Sequence, residues 1–251
     1  AFGTVMLEGD GAAFRATAPT HLEMDMILRK PTIEPHISAN WSIFFLKGWC
    51  RLMNKKIGVY GSVVNFIAVI CFAISMLFGF DYGSYLSSMF IAFSFVLMMC
   101  GYAYFAEKGA KLAGYVSVAF SAIYAVIILL VYFAQLTTVR LNELTQQAAL
   151  LLDFQQCGLM FNYDLLGYAA MSVATFFAGL TITSITKADR WLRHLLMIHG
   201  VFFISCLIAP ILGLFKANSP AWVGVAVLEF WCLYFLPIST LSFFHFSNCK
   251  K

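Results

Sequence analysis

Three polar side chains inside long apolar stretches are the residues of this sequence best placed to do chemistry. They are Glu229 in "GVAVLEFWCLYFLP", His199 in "LLMIHGVFF" and Asn65 in "SVVNFIAV". A charged side chain at the centre of a membrane helix costs about 2.5–3.5 kcal/mol on insertion scales, so such residues often mark ion pathways. Glu229 is therefore a candidate site for a proton or cation, and His199 is a candidate proton relay.

Each candidate also has a purely structural interpretation. Glu229 would then be protonated and hydrogen-bonded to a neighbouring helix, and His199 would satisfy a backbone carbonyl group. The sequence supports the two interpretations of Glu229 equally and favours the structural one for His199. Counted from the predicted span edges at about 1.5 Å per residue, Asn65 and His199 share one depth, and Glu229 lies roughly 6–9 Å further out.

Other kinds of site have weaker support in the sequence. His194 and His199 are five residues apart, which puts them on different helix faces, and no pair among the seven cysteines forms a C-x-x-C motif. Signatures of P-loop proteins, zinc proteases and serine hydrolases are absent from the sequence. We therefore predict no metal site and no cofactor, and an enzyme is the weaker hypothesis. Asp164 and Gln135 are assigned to the outer rim, where polar side chains need no special explanation.

The composition predicts what must position these residues. Hydrophobic residues make up 61% of the chain and charged residues 11%, against about 25% charged in soluble domains. A water-soluble fold could not cover its surface with so few charges, so an integral membrane protein is expected. Six apolar stretches are long enough to cross a bilayer, and they predict an all-α polytopic bundle with spans near 57–80, 85–106, 112–136, 164–186, 192–215 and 221–246.

The distribution of basic residues predicts that both termini are cytoplasmic. With that orientation ten basic residues lie inside and two outside, the inner ones being Arg51, Lys55, Lys56, Lys108, Lys111, Lys187, Arg190, Arg193, Lys250 and Lys251. Basic residues on the cytoplasmic side are typical of multi-pass proteins. They explain the net charge of +4 without a nucleic-acid partner. The expected location is a bacterial cytoplasmic membrane, with lipids, and possible copies of the chain or other membrane helices, as partners.

The link 137–164 is the longest between predicted spans and carries apolar residues at helical spacing. This pattern predicts either an interfacial amphipathic helix or a continuation of the third span. A lid over a cavity is the functional interpretation, and a helix that lies passively on the membrane is the favoured one.

Small residues recur at four-residue steps in the fourth span. Ala170, Ala174 and Ala178 form one row, and Gly179 lies on the adjacent ridge. Such rows let helix backbones approach closely, so we predict a helix-packing face there.

Residues 1–52 differ from the rest in having no helical or strand periodicity over most of their length. One interpretation is a mostly disordered cytoplasmic tail. The other is upstream sequence translated in frame, with the native chain starting at Met53, and the second is favoured because Lys55 and Lys56 would then anchor the first span. On this reading residues 53–251 are the six-helix domain.

Residues 53–251 resemble a family of compact six-helix bacterial membrane proteins of unknown function. The resemblance is carried by "YDLLGYAAMSVATFFAGLTI", "DRWLRHLLMIHGVFFISCLIAPILGLF" and "LEFWCLYFLPISTLSFF". The residues that match its pattern are Asp164, Gly167, Trp191, Arg193, Trp231, Phe235 and Pro237. It covers about residues 53–251 and implies a fold but no activity.

Two functions remain open from the sequence. The first is a small transporter or a proton- or cation-coupled permease that uses Glu229. The second is a membrane interaction or assembly protein that transports nothing. Three helices on each side of the long link would permit an inverted repeat, but neither the repeat nor a substrate or an oligomeric state follows from the residues.

Overall fold

The structure is a computed structural model that describes residues 35–183, 186–215 and 221–249. Most of the segment 1–52 therefore lies outside the described residues, although the first helix is continuous through Met53. Within the described ranges every regular element is helical. The α-helices are α1 Pro35–Leu77, α2 Asp81–Phe105, α3 Lys111–Ala134, α4 Gln146–Leu152, α5 Leu159–Thr181, α6 Lys187–His199, α7 Phe202–Ile211 and α8 Ala221–Asn248.

In the described part of the chain, six helical segments are long and apolar enough to cross a membrane, which confirms the predicted all-α polytopic fold. Their bounds are Leu52–Leu77, Asp81–Phe105, Lys108–Val139, Leu159–Thr181, Lys187–Ile211 and Trp222–Asn248. By compactness the chain divides after Gly48, and all six of these segments belong to the unit that begins at Trp49. We call the end of the bundle with the link 106–110 the basic end, and the end with the link 140–158 the loop end.

The long link is neither of the two predicted structures alone. The third span first continues through a π-helical turn, Gln135–Val139. The chain then leaves the helix and forms α4, whose start is capped by the Thr145 side chain, and a 3-10 turn, Phe154–Gln156. The helical spacing of apolar residues in the link therefore corresponds to a separate short helix and not to one long continuation of the third span.

The row of alanines on α5 is buried. Ala174 and Ala178 are 0% exposed and Ala170 is 7% exposed. The Ser117 hydroxyl of α3 donates to the carbonyl oxygen of Ala174 at 2.8 Å. That short approach requires a small side chain at the contact, as expected where helices pack without a hydrophobic driving force. Gly179 faces the next helix, since a Cβ there would lie 2.8 Å from the Met197 Cγ.

The fifth span is interrupted in its middle. Helix α6 ends at His199 and α7 begins at Phe202, with a turn at Gly200 and Val201 between them. A Cβ at Gly200 would lie 2.9 Å from the Phe176 Cβ, so glycine allows this turn to pack against α5. Discontinuous helices of this kind often form binding sites in transporters.

The contact between α2 and α3 predicts a specific effect on stability. A Cβ at Gly114 would lie 2.8 Å from the Ala103 Cα, and overpacking of this kind costs about 1–3 kcal/mol. We expect Gly114→Val to lower the free energy of unfolding by about that amount. The measurement is an SDS titration of the full chain in mixed micelles, followed by circular dichroism.

Gly224→Val is the matched control, because Gly224 is also helical and nothing lies within 4 Å of a Cβ built there. We expect a change of less than about 0.5 kcal/mol for this variant. Equal losses in the two variants would show that the close approach of α2 and α3 contributes nothing.

Candidate functional site

Asn65 joins three helices through its amide group. Its Nδ2 donates to the Ser94 Oγ of α2 at 3.0 Å, and its Oδ1 accepts from the Ser239 Oγ of α8 at 2.8 Å. Asn65, Ser94 and Ser239 are at most 1% exposed. Because both the nitrogen and the oxygen of this amide are hydrogen-bonded, Asn65 links α1, α2 and α8, as a structural residue would.

His199 lies in a buried chain of hydrogen bonds that runs from Trp231 to the Ser172 carbonyl oxygen. The Trp231 Nε1–H group donates to His199 Nε2 at 3.1 Å, so Nε2 is an acceptor and the neutral ring carries its hydrogen on Nδ1. Nδ1 lies 2.8 Å from the Thr175 Oγ1, and that hydroxyl donates to the Ser172 carbonyl oxygen at 2.9 Å. The imidazole is therefore fixed as one neutral tautomer, which connects α5, α6 and α8.

The predicted common depth of Asn65 and His199 is wrong. Asn65 is level with Ser239 and His199 is level with Trp231, and these partners are eight residues apart on α8, or about 12 Å. The difference arises because α6 begins at Lys187, five residues before the predicted edge at 192. His199 consequently lies more than three turns into its span.

Glu229 is half-buried on α8 and is not in contact with the other two candidates. Its Oε1 is buried and has no hydrogen-bond partner in the described part of the chain. Glu229 lines neither of the two cavities described below, one at the loop end and one at the basic end. The three candidates are thus held in different surroundings, and no hydrogen bond links them among the residues described.

Asp164 is the polar residue that the sequence analysis misplaced. It is 3% exposed, since it lies within α5 and on the same buried face as Gly167 and Tyr168, not at the outer rim. Tyr132 of α3 interacts with its carboxyl group, whereas Oδ1 is buried and has no hydrogen-bond partner among the described residues. An unpaired buried carboxyl oxygen carries a large desolvation cost. Glu229 has such an atom too, but it is only half-buried, so the nearly complete burial of Asp164 makes Asp164 the stronger site candidate.

A cavity of about 430 Å³ opens at the loop end. The cavity is lined by Tyr132, Asp81 and Tyr85. Of these residues, Tyr132 also interacts with the Asp164 carboxyl group. The Gln155 amide of the long link donates to the Tyr85 hydroxyl at 3.2 Å and to the Asp81 Oδ1 at 3.4 Å. The cavity thus has a polar wall one side chain away from Asp164.

The long link covers part of this cavity, and Gln135 fastens it. The Gln135 Nε2 donates to the Leu152 carbonyl oxygen at 2.8 Å, and its Oε1 accepts from the Phe154 N–H group at 3.0 Å. Gln135 is 2% exposed, so it is a buried clamp and not a rim residue as predicted. Phe154, Gln155 and Cys157 line the cavity, as the lid interpretation of the link requires.

A second cavity, of about 570 Å³, lies at the basic end. Its polar wall contains Asp189 and His245, whose Oδ1 and Nδ1 atoms are 2.8 Å apart. Among the described residues, no group of three or more His, Cys, Asp or Glu side chains is placed to hold a metal ion.

A layer of buried aromatic rings lies between the two cavities. Trp231 stacks on Phe235 with ring centroids 4.9 Å apart. The ring centroid of Phe95 lies 6.2 Å from that of Phe235 and 5.2 Å from that of Tyr124. We call these four residues the aromatic layer. The described linings of the two cavities share no residue, so each cavity is a separate recess.

Comparison with known proteins adds no assignment. No protein-family model, curated protein or solved structure matches the chain. Its function is therefore argued from its own residues.

The His199 chain predicts the effect of removing one hydroxyl group. Thr175→Val keeps the side-chain shape but leaves the Nδ1–H group of His199 without an acceptor, and an unsatisfied buried donor costs about 1–3 kcal/mol. We expect that loss in the free energy of unfolding, measured by the same SDS titration. Thr240→Val is the control, because the exposed Thr240 hydroxyl bonds only to its own helix; similar losses would contradict the assigned chain.

Proposed function

We propose that the protein is a small proton-coupled transporter in which Asp164 is the proton-binding carboxyl group. The observation that carries the proposal is the buried Oδ1 atom of Asp164 without a partner, beside a tyrosine that lines a cavity. Acidic side chains inside membrane spans are costly and usually line substrate or ion pathways. A purely structural carboxyl group would instead be expected to have both oxygen atoms paired.

Three features of the fold support transport over a static role. Two separate recesses lie at opposite ends of the bundle, with the aromatic layer between them. The fifth span is broken next to His199, which is the kind of irregular backbone that transporters use at their sites. In the state described, the cavity lined by Tyr132 is at the loop end, so the proposed transport requires the aromatic layer to rearrange before the basic-end cavity can be reached.

A proton path from Asp164 has candidate intermediates. Tyr124, Tyr132 and Tyr168 interact electrostatically with Asp164, and the Tyr168 ring lies 5.5 Å from that of Trp231. Trp231 is in turn bonded to His199. In this proposal His199 orients Trp231 and Thr175, and it is not a relay in the described state, because both of its ring nitrogens are already occupied.

The orientation in this proposal follows the basic residues. The basic end faces the cytoplasm and the membrane is the cytoplasmic membrane of a bacterium. The loop-end cavity would then take up protons and solute from outside.

A matched pair of variants tests the proposal. The full chain is reconstituted in liposomes that contain a pH-sensitive dye, and a proton gradient is imposed. We expect the wild type to dissipate the gradient, Asp164→Asn to fall to the rate of protein-free liposomes, and Glu229→Gln to keep the wild-type rate. Each variant replaces one carboxyl group in a span with an amide of the same shape, so they differ only in position.

Two results would contradict the assignment. Loss of flux in Glu229→Gln with normal flux in Asp164→Asn would return the proton site to Glu229. A wild-type rate equal to that of protein-free liposomes would show that the protein does not conduct protons by itself.

The second candidate function, an interaction protein, is favoured by one observation. Glu229 is half-buried, lines neither cavity and has an unpaired Oε1, so a donor from a second copy of the chain could complete its hydrogen bonding. On this hypothesis Glu229→Gln lowers the dimer fraction measured by sedimentation in detergent, whereas Asp164→Asn leaves it unchanged. A dimer fraction equal in both variants and in the wild type would contradict this role of Glu229.

A further inference from the structure

At the basic end three side chains stand in the order thiol, imidazole, carboxylate. The Cys249 Sγ lies 3.8 Å from His245 Nε2, and His245 Nδ1 lies 2.8 Å from the Asp189 Oδ1. His245 and Cys249 are one turn apart at the end of α8, whereas Asp189 belongs to the first turn of α6. The two nitrogens of one imidazole therefore face a thiol on one side and a carboxylate on the other.

The position of Asp189 is fixed by a capping box. Its Oδ2 accepts from the Thr186 N–H group at 3.2 Å and from the Thr186 hydroxyl at 2.8 Å. The Asp189 N–H group in turn donates to the Thr186 Oγ1 at 3.1 Å. With Oδ2 engaged in this way, Oδ1 is directed at His245, so the helix start holds the carboxylate in place.

This arrangement determines which nitrogen of His245 carries hydrogen. An ionised carboxylate only accepts hydrogen bonds, so Nδ1 carries the hydrogen and Nε2 presents its lone pair to the Cys249 Sγ. That tautomer is the one that can take a proton from a thiol, and it is the orientation that a carboxylate enforces in nucleophile–imidazole–carboxylate sites.

The three groups border the basic-end cavity of about 570 Å³. Phe105 and Phe244 supply apolar walls, and the Asp189 and His245 side chains are 13% and 14% exposed. Cys249 is half-buried and also lines this cavity, which has polar groups at one side and apolar side chains at the other. An acyl chain with a polar activated head group has this distribution of chemistry.

We propose that Cys249 is a nucleophile that accepts an acyl group from a thioester, with His245 as general base and Asp189 as positioning residue. His245 Nε2 takes the proton from the Cys249 Sγ, which attacks the carbonyl carbon of the donor. A new Sγ–C bond forms and the bond from that carbon to the donor sulfur breaks. The proton passes from His245 to the departing thiolate, so the products are acyl-Cys249 and a free thiol, without any redox change.

The neighbouring titratable groups act on this site in different ways. Glu107 and Tyr102 also line the cavity, and the Tyr102 hydroxyl lies 2.5 Å from the Ser242 Oγ. A carboxylate at Glu107 opposes negative charge on the thiol, whereas the imidazole of His245 promotes it. The pH profile of thiol reactivity is therefore expected to depend on His245. This site is independent of proton transport at Asp164, which lies at the opposite end of the bundle.

Alkylation of the full chain in detergent micelles tests the nucleophile. Iodoacetamide is applied over a range of pH values and the adduct on each cysteine is followed by peptide mass spectrometry. Cys157 is the internal comparator, because burial raises the pKa of its thiol. We expect Cys249 to react faster than Cys157 near neutral pH. We expect His245→Gln to abolish that advantage and Asp189→Asn to move the profile of Cys249 to higher pH.

Acyl transfer is tested with octanoyl-coenzyme A as the probe. We expect a mass increase of one octanoyl group on Cys249 in the wild type, and none in Cys249→Ser, which keeps the pair of His245 and Asp189 and serves as the folding-competent variant. Cys157→Ser is expected to be acylated like the wild type. The proposal is overturned if the wild type takes up no octanoyl group on Cys249, or if His245→Gln leaves the pH profile of Cys249 unchanged.

Discussion

The structure depends on one constraint, which is that polar side chains within the bundle must find partners on other helices. Inside a bilayer no water is available to satisfy them, so each unpaired group costs free energy. Asn65 meets this constraint with serines from two helices, and His199 meets it with Trp231 and Thr175. These pairs determine how α1, α2, α5, α6 and α8 are turned towards one another. Among the described residues, Asp164 and Glu229 each have one carboxyl oxygen that does not meet the constraint, and Asp164 is the more deeply buried of the two.

The number of spans could be predicted because it depends only on composition and length. Six apolar stretches of sufficient length are visible in the sequence, and the structure has six. Their starts were less predictable, because polar residues at a helix end look like loop residues. The helix that contains Asp164 begins at Leu159 and not near 164, and α6 begins at Lys187 and not near 192. Those shifts of five residues place Asp164 within its helix and His199 deeper than expected, and the buried face of α5 then encloses Asp164.

Which polar residues meet could not be predicted, because contacts between helices are not periodic along the chain. Asp189 and His245 are separated by 56 residues, and Asn65 and Ser239 by 174. Only the spacing of His245 and Cys249, one turn apart, could have been noticed in the sequence. Glu229 drew attention as an acid within an apolar stretch, yet depth along a helix does not reveal whether a side chain faces a cavity, a neighbour or the lipid.

The break at Gly200 divides the fifth span into two halves that differ in how deeply their side chains are buried. In α6, Leu192 and Leu196 are 0% exposed, whereas α7 has no buried residue. Cys206 of α7 nevertheless lies within electrostatic reach of Asp164. A helix without a buried residue thus lies near that carboxyl group. In a transporter of the kind proposed above, displacement of α7 would open the bundle sideways and admit lipophilic solutes that are already dissolved in the bilayer.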